Sequence, residues 1–236
     1  MKSYSLLVAS IFTAAVTHSS QAVNGDYINN GSFESGSGSY LGWTTIGSAG
    51  INSTQFSAPT DGSFKAFISS GSGSVTASVL STFFGGATLP GNTGGAAVEG
   101  SGIRQTFASA YPVSFSFDYK YVSQEDIHSG FDETFVYVDG NVSLLSDSDS
   151  PGLVTITGLP LRYRNGTAYR TVRIELAAGT HTIGFGSYDT GDASGDSAII
   201  VDNVQAIPEP GTATLGVGLG LVGLLSRATR RRRARA

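Results

Sequence analysis

Apolar and polar residues alternate along short segments in the middle of the chain. From Val113 to Tyr121 every odd position is apolar and every even position is polar. A period of two places successive side chains on opposite faces of a strand. Residues 134–138 are β-branched or aromatic, and Asp139-Gly140-Asn141 after them is typical of a tight turn. The pattern therefore predicts two strands here.

Further segments share this character, and Gly, Asp, Asn or Pro separates them. They are residues 153–157, 169–176, 181–188 and 198–204. Short strands at such spacing are typical of an antiparallel sandwich or barrel. No segment within residues 23–207 keeps a period of 3.6 long enough to predict a helix with the same force. We therefore expect an all-β antiparallel fold.

Residues 69–102 depart most from this pattern. Val75 to Phe84 is consistent with a weak strand or a short helix, and residues 85–102 are rich in glycine and read as loop. Long loops in compact domains often carry function, but a flexible loop that binds no ligand explains this composition equally well.

The first residues have the form of a secretory signal peptide. Lys2 precedes an apolar run from Leu6 to Val16, and the small residues Ser20 and Ala22 follow. The run is shorter than the ~20 residues that span a bilayer. We expect residues 1–22 to be removed by signal peptidase, which leaves a body at residues 23–205.

The last residues combine three different elements. Pro208-Glu209-Pro210 forms an extended linker, and residues 212–226 are apolar and free of charge. As a helix these would cover about 22 Å, short of a ~30 Å hydrocarbon core, so the segment is a marginal single span. An arginine cluster follows and, by the positive-inside rule, would keep the C-terminus cytoplasmic. Its members, within the tail 227–236, are Arg227, Arg230, Arg231, Arg232, Arg233 and Arg235.

In this order the three elements resemble the PEP-CTERM sorting signal of Gram-negative bacteria, here at residues 206–236. The resemblance implies that an exosortase recognises the tail and removes it. The protein would then be held only transiently at the inner membrane and would continue to the cell surface or extracellular matrix.

Charge and cysteine content exclude several classes of function. Residues 23–207 hold seven basic and seventeen acidic residues, a net charge of about −10. An acidic body argues against nucleic acid as a partner, because phosphate binding needs a basic face. The chain has no cysteine, so thiol chemistry and cysteine-ligated zinc are excluded.

Both ends of the body resemble galactose-binding-like jelly-roll domains, which include carbohydrate-binding modules. Asn29 to Glu34, with Gly42-Trp43, is similar to their first strand, and Ser197 to Val204 is similar to their last. The resemblance implies a jelly-roll sandwich in which these strands are neighbours. It also implies a structural calcium held by Glu34 and Asp202, although a surface Glu34 and a turn-capping Asp202 explain the same residues.

Other residues offer candidate chemistry without a defining motif. The acidic loop 189–196 is interpreted as a solvated turn in preference to a calcium loop, and residues 147–151 are interpreted as a turn. Trp43 fits the core better than a sugar-stacking site, and we expect Tyr163 to be an exposed strand residue.

No spacing typical of a hydrolase or metalloprotease surrounds His128 or His181. The sequence therefore predicts no enzyme. It favours a structural protein of the surface or of a biofilm or exopolysaccharide matrix, with a carbohydrate-binding module, calcium-stabilised or not, as the alternative. The ligand and the oligomeric state are left open.

Overall fold

Two antiparallel sheets pack face to face in the part of the chain that the structure, a computed structural model, describes: residues 26–91, 95–128, 132–156 and 163–209. The elements in chain order are β1 Thr44–Ile46, β2 Ser48–Asn52, β3 Lys65–Ser69, β4 Val75–Thr76, α1 Ala77–Phe83, β5 Ala97–Ser109, β6 Val113–Ser123, β7 Glu133–Val138, β8 Asn141–Asp147, β9 Val154–Thr155, β10 Asn165–Gly166, β11 Arg170–Leu176, β12 Gly179–Thr190 and β13 Ser197–Pro208.

Within these residues the first sheet has the order β1-β5-β12-β7-β8, with β4 also paired to β5. The second has the order β2-β3-β13-β6-β10-β9, with β11 also paired to β6. The chain passes between the sheets from β5 to β6 to β7, and again from β11 to β12 to β13. These crossings are typical of a jelly roll, so the predicted all-β antiparallel sandwich is confirmed.

The core lies between the sheets, and the alternation seen in the sequence builds it. On β6 the side chains of Phe115, Phe117 and Tyr121 are fully buried. The ring of Phe117 meets that of Phe185 on β12 at 4.7 Å between centroids, in an edge-to-face arrangement. Each such buried aromatic contributes roughly 1.5–3 kcal/mol of hydrophobic stabilisation.

The glycine-rich segment that read as loop includes the first six residues of β5, 97–102, so that interpretation was wrong for them. Gly100 and Gly102 pair with β12, and both positions require glycine because other atoms occupy the space of a side chain. A Cβ on Gly100 would lie 2.4 Å from the Ser187 carbonyl oxygen, and one on Gly102 would lie 2.7 Å from the Phe84 ring. The helix alternative for residues 75–84 is confirmed in α1, which packs Leu80 against the outer face of the first sheet.

The opening segment lies beside the last strand as expected, but it is not a strand itself. The Tyr27 amide donates to the Ala206 carbonyl at 3.1 Å, and the Val204 amide donates to the Gly31 carbonyl at 3.0 Å. Asn30 has a φ of 55°, and its side-chain oxygen accepts from the Ser35 amide at 2.9 Å. This local hydrogen bond stabilises a turn, which overrides the extended form.

Several predictions concern residues outside the described ranges. These are the signal peptide, Pro210, the apolar segment 212–226 and the arginine cluster. Among the residues that are described, no helix has both the length and the apolar character needed to cross a membrane.

Candidate functional site

The outer face of the second sheet carries polar and charged side chains, and the β2–β3 loop (residues 53–64) passes over it. Lys65 on β3, Lys120 on β6 and Asp202 on β13 all lie on this face and are buried. Buried charges need partners, and the partners here are main-chain groups of the loop.

Two lysines hold the first half of the β2–β3 loop. The Lys65 ammonium donates to the carbonyls of Ser53 at 2.9 Å and Ser57 at 2.5 Å. The Lys120 ammonium donates to the carbonyl of Phe56 at 3.1 Å. Burial lowers the pKa of Lys65 to about 8, although the nearby Asp202 carboxylate acts in the opposite direction. Burial lowers the pKa of Lys120 as well.

Two carboxylates hold the second half of the same loop. Asp202 Oδ2 accepts from the amides of Thr60 at 2.7 Å and Asp61 at 2.9 Å. Glu34 Oε1 accepts from the amides of Ser63 at 2.7 Å and Phe64 at 2.6 Å. Burial raises the pKa of Asp202, against the lowering effect of its main-chain hydrogen bonds. The structure therefore brings Glu34 and Asp202 to one loop, as anchors of its backbone.

These contacts bear on the calcium predicted for Glu34 and Asp202. Asp202 Oδ1 also accepts the Asn203 amide at 2.8 Å, so three of the four carboxylate oxygens already accept N–H groups. In the described ranges, no three His, Cys, Asp or Glu side chains are grouped so that they could hold a metal. The donor set fits Ca²⁺ poorly, since the ion needs six to eight oxygens and would compete with the amides. Calcium at this pair stays a prediction.

Within the β2–β3 loop, Phe56 has an unusual backbone conformation. Its φ of 71° lies in the left-handed region, which a bulky residue rarely adopts. Such a conformation costs on the order of 1–3 kcal/mol and persists only where surrounding contacts enforce it. Here the lysine and carboxylate contacts enforce it, and they fix the Phe56 ring over the sheet.

Phe56 completes a cluster of three rings. It stacks on Phe67 with 5.4 Å between centroids and an interplanar angle of 8°. Tyr163 stands edge-on to both, at 5.3 Å from Phe56 and 5.8 Å from Phe67. The Tyr163 hydroxyl is 2.8 Å from the Ser69 hydroxyl, which fixes the orientation of its ring. The cluster is therefore a rigid apolar wall with a polar edge.

This wall borders a pocket of about 240 Å³. Its lining combines the three rings with small neutral polar residues: Ser48, Gln55, Phe56, Phe67, Ser69, Ser72 and Tyr163. Gln55 and Ser72 are exposed and accessible from solvent. The volume is below the roughly 300–1,000 Å³ of sites for drug-sized ligands, so it suits one small ring. Aromatic faces with uncharged hydrogen-bonding groups suit a neutral, hydroxyl-rich ligand.

Sequence reasoning missed this pocket. Tyr163 was expected to be exposed, but it is only 6% exposed and lies inside the cluster, so that prediction was wrong. Phe56 gave no signal, because it is a single aromatic residue in a polar loop. Trp43 is a core residue as favoured; it packs at 5.6 Å from the Phe33 ring and donates through Nε1 to the Asn30 carbonyl at 3.2 Å.

The acidic segments divide between turns and the interior. Asp147 Oδ1 accepts the Asp149 amide at 3.0 Å, and Asp192 Oδ1 accepts the Ser194 amide at 2.8 Å, which confirms a turn in each segment. Asp189, however, is fully buried, so the interpretation of the whole loop 189–196 as solvated was wrong for it.

The two histidines lie apart, in different contacts. His128 is exposed and lies 3.5 Å from Asp149. His181 Nδ1 lies 2.6 Å from Asp139 Oδ2. Each imidazole therefore pairs with a single carboxylate of its own.

The start of the sorting signal belongs to the sandwich. Pro208 is the last residue of β13 and pairs with Val113, and the Glu209 amide donates to the Pro112 carbonyl at 3.0 Å. Glu209 is exposed, and Pro210 lies outside the described residues. The motif therefore begins where the final strand leaves the sheet.

Comparison with known proteins matches the tail to a family model. Residues 206–233 match the PEP-CTERM protein-sorting motif, so the chain carries this motif as its residue pattern predicted. No curated protein sequence is similar enough to the chain to count as a match.

The solved structures that align with the chain include TmCBM61 in complex with β-1,4-galactotriose. It is 12% identical, with a TM-score of 0.41, and the match covers 78% of this chain and 99% of that one. The K1 cleaved adhesin domain of Lys-gingipain from Porphyromonas gingivalis is 14% identical, with a TM-score of 0.42 and coverage of 75% and 96%. The CBM22-1 xylan-binding domain from Paenibacillus barcinonensis Xyn10C is 14% identical, with a TM-score of 0.36 and coverage of 75% and 90%. A ligand of one of these proteins is not thereby a ligand of this chain.

Proposed function

We propose that this chain is an exported protein, sorted by an exosortase-type system and displayed as a non-catalytic β-sandwich at the cell surface or in the extracellular matrix of a Gram-negative bacterium. The observation that carries this proposal is the position of the sorting motif. The motif at residues 206–233 begins in the last three residues of β13 and continues beyond the sandwich. Cleavage after Glu209 would remove only the residues that follow it and would leave every described strand intact.

In this proposal the chain has three parts with different fates. Signal peptidase removes residues 1–22, and the body 23–205 crosses the inner membrane. The apolar segment 212–226 holds the protein there transiently, with the arginine tail on the cytoplasmic side. The exosortase then releases the body from this anchor.

Processing of the tail can be followed in an exosortase-positive host and in the same host without its exosortase. The full chain carries one tag after residue 22 and a second at the C-terminus. We expect loss of the C-terminal tag and surface display only in the first host. Glu209→Ala with Pro210→Ala should block processing, whereas Asp126→Ala, at an exposed acidic residue between β6 and β7, should not. Equal processing in both hosts would contradict the proposal.

A second candidate function is binding of a neutral saccharide, and the aromatic pocket favours it. The pocket offers aromatic rings on which the C–H face of a sugar can pack, and Gln55, Ser48 and Ser72 for its hydroxyls. No charged side chain lines it among the described residues. A structural protein of the matrix that also binds its polysaccharide would combine both functions.

A glycan array with the processed protein tests this candidate, followed by calorimetry on any positive glycan. We expect Gln55→Ala and Ser72→Ala each to weaken binding about five- to tenfold, the loss of roughly one hydrogen bond. Neither change opens the core, because both side chains are exposed. Tyr111→Ala, at a tyrosine that is 54% exposed and outside the pocket lining, is the matched control. No binding to any glycan would rule this function out.

A further inference from the structure

The interior of the sandwich changes from apolar to polar toward one end. Asp132, just before β7, is 1% exposed, and Asp189, near the end of β12, is fully buried. Strands β7 and β12 pair in antiparallel register up to Glu133 and Tyr188. The two aspartates follow one position further on, so they lie opposite each other at the end of the ladder. Like charges in this position destabilise a sheet.

The carboxylates of this pair are incompletely satisfied. Asp132 Oδ2 and both carboxylate oxygens of Asp189 are buried and have no hydrogen-bond partner. A buried ionised carboxylate without a partner costs several kcal/mol. The two buried lysines, Lys65 and Lys120, are engaged by the β2–β3 loop on the opposite face of the second sheet. Among the described residues, the ion pairs leave Asp132 and Asp189 without a basic partner.

Other carboxylates add to the negative charge of this region. Burial raises the pKa of Asp132, and the charges of Asp189 and Glu125 act in the same direction. Burial raises the pKa of Asp189, with the charges of Asp196 and Glu99 acting in the same direction. Without a cation the two carboxyls therefore hold their protons to a higher pH than an ordinary aspartate does, whereas a cation bound between them would favour the ionised form.

Neutral oxygen atoms from the second sheet flank the pair. Ser70 lies next to Asp189, and Ser197 lies next to Asp132. Ser197 Oγ is 2.7 Å from the Ser123 hydroxyl and 3.0 Å from the Tyr121 hydroxyl. The second sheet therefore brings hydroxyl oxygens to the pair, opposite the carboxylates of the first sheet.

We propose that Asp132 and Asp189 hold a calcium ion between the two sheets. The unpartnered oxygens of these two buried side chains supply the charged ligands, and hydroxyl, main-chain and water oxygens complete the shell. No three acidic or histidine side chains in the described ranges are grouped for a metal, so the neutral oxygens are required. Calcium accepts six to eight oxygens in irregular geometry, whereas magnesium demands a near-ideal octahedron. The ion would join β7 and β12 to the second sheet.

Calcium itself is the probe for this site. The full processed chain is titrated with Ca²⁺ by calorimetry, and its melting temperature is measured in Ca²⁺, in Mg²⁺ and in EDTA. Structural sites of extracellular modules bind with dissociation constants of about 0.1–1 mM. At one hundred times the dissociation constant we expect calcium to raise the melting temperature by at least about 5 °C over EDTA. Magnesium should raise it less.

Asp132→Asn and Asp189→Asn distinguish an ion site from a structural hydrogen bond. Both should lose the calcium response, yet in EDTA they should melt at or above the temperature of the unmodified protein, because the substitution removes charge repulsion. Asp192→Asn, in the exposed part of the same loop, should keep the full response. Glu34→Gln should also keep it, which separates this site from the calcium predicted at Glu34 and Asp202.

The proposal is overturned if the unmodified protein melts identically in calcium and in EDTA. It is also overturned if Asp189→Asn responds to calcium as the unmodified protein does, or if it melts lower in EDTA. These outcomes are independent of glycan binding and of tail processing, so either proposed function can stand or fail separately.

Discussion

The imidazole of His181, on β12, lies within hydrogen-bonding distance of Asp139 in the turn between β7 and β8. This contact holds the turn against β12. Nδ1 lies 2.6 Å from Asp139 Oδ2, and Nε2 lies 2.8 Å from the Ala177 carbonyl. The other carboxylate oxygen of Asp139 accepts the Thr182 amide at 2.7 Å. With acceptors at both ring nitrogens, the doubly protonated imidazolium can donate at both, so this arrangement favours the charged form.

Stability should depend on pH through this contact. Burial lowers the pKa of His181, but the hydrogen bonds to Asp139 and Ala177 and the charge of Asp139 outweigh it, so the pKa is raised. The folded state therefore binds the proton more tightly than the unfolded state. The stabilisation is fully present below about pH 6.5, the ordinary pKa of histidine, and is lost as the pH rises through the folded pKa.

We expect His181→Gln to lower the unfolding free energy by about 1 kcal/mol at pH 5.5, and by progressively less at alkaline pH. Urea unfolding at several pH values measures the difference between the two proteins, which cancels the other titrating groups. Asp139→Asn should reproduce the same trend. A difference that stays constant from pH 5.5 to 9 would show that the contact is only steric.

Two strand glycines should respond oppositely to alanine. In Gly100→Ala the new Cβ would meet the Ser187 carbonyl at 2.4 Å, so we expect a loss of about 1–3 kcal/mol of unfolding free energy. Gly50 on β2 is the matched control, because a Cβ there meets nothing within 4 Å. Gly50→Ala should leave stability unchanged or raise it by up to about 1 kcal/mol. Urea denaturation of both variants gives the comparison, and equal effects would contradict the packing seen around β5.

The β2–β3 loop should depend on Lys65 more than on Lys120. Lys65→Met leaves the Ser53 and Ser57 carbonyls without their donor and removes a cation next to buried Asp202, so we expect a loss of about 3 kcal/mol. Lys120→Met removes a donor from the Phe56 carbonyl alone and should cost about 1–2 kcal/mol. Thermal and urea unfolding test the order, and a larger effect at Lys120 would overturn it.

Glu34 should stabilise the same loop without calcium. Glu34→Gln weakens the acceptor of the Ser63 and Phe64 amides, and we expect a loss of about 1–2 kcal/mol that is the same in Ca²⁺ and in EDTA. A loss seen only with calcium present would instead support an ion at Glu34 and Asp202.

The sequence by itself determined the features that depend on neighbouring residues. The alternation from Val113 to Tyr121 predicted a strand, because the period of two is a local property of extended backbone. The burial of its polar face as well depends on distant residues, since the β2–β3 loop covers that face. The sorting motif was equally readable, since it is a linear order of Pro-Glu-Pro, apolar segment and arginine cluster.

Only the tertiary structure decided the features that join distant residues. Phe56, Phe67 and Tyr163 are separated by up to 107 positions, yet they form one ring cluster because the β2–β3 loop, β3 and the residues just before β10 meet on one sheet face. Asp132 and Asp189 become a pair only through the register of β7 with β12. Gly100 reads as loop until the atoms that occupy its side-chain space are known. Local pattern specifies which backbone a segment prefers, whereas a site depends on which side chains the folded sheets bring together.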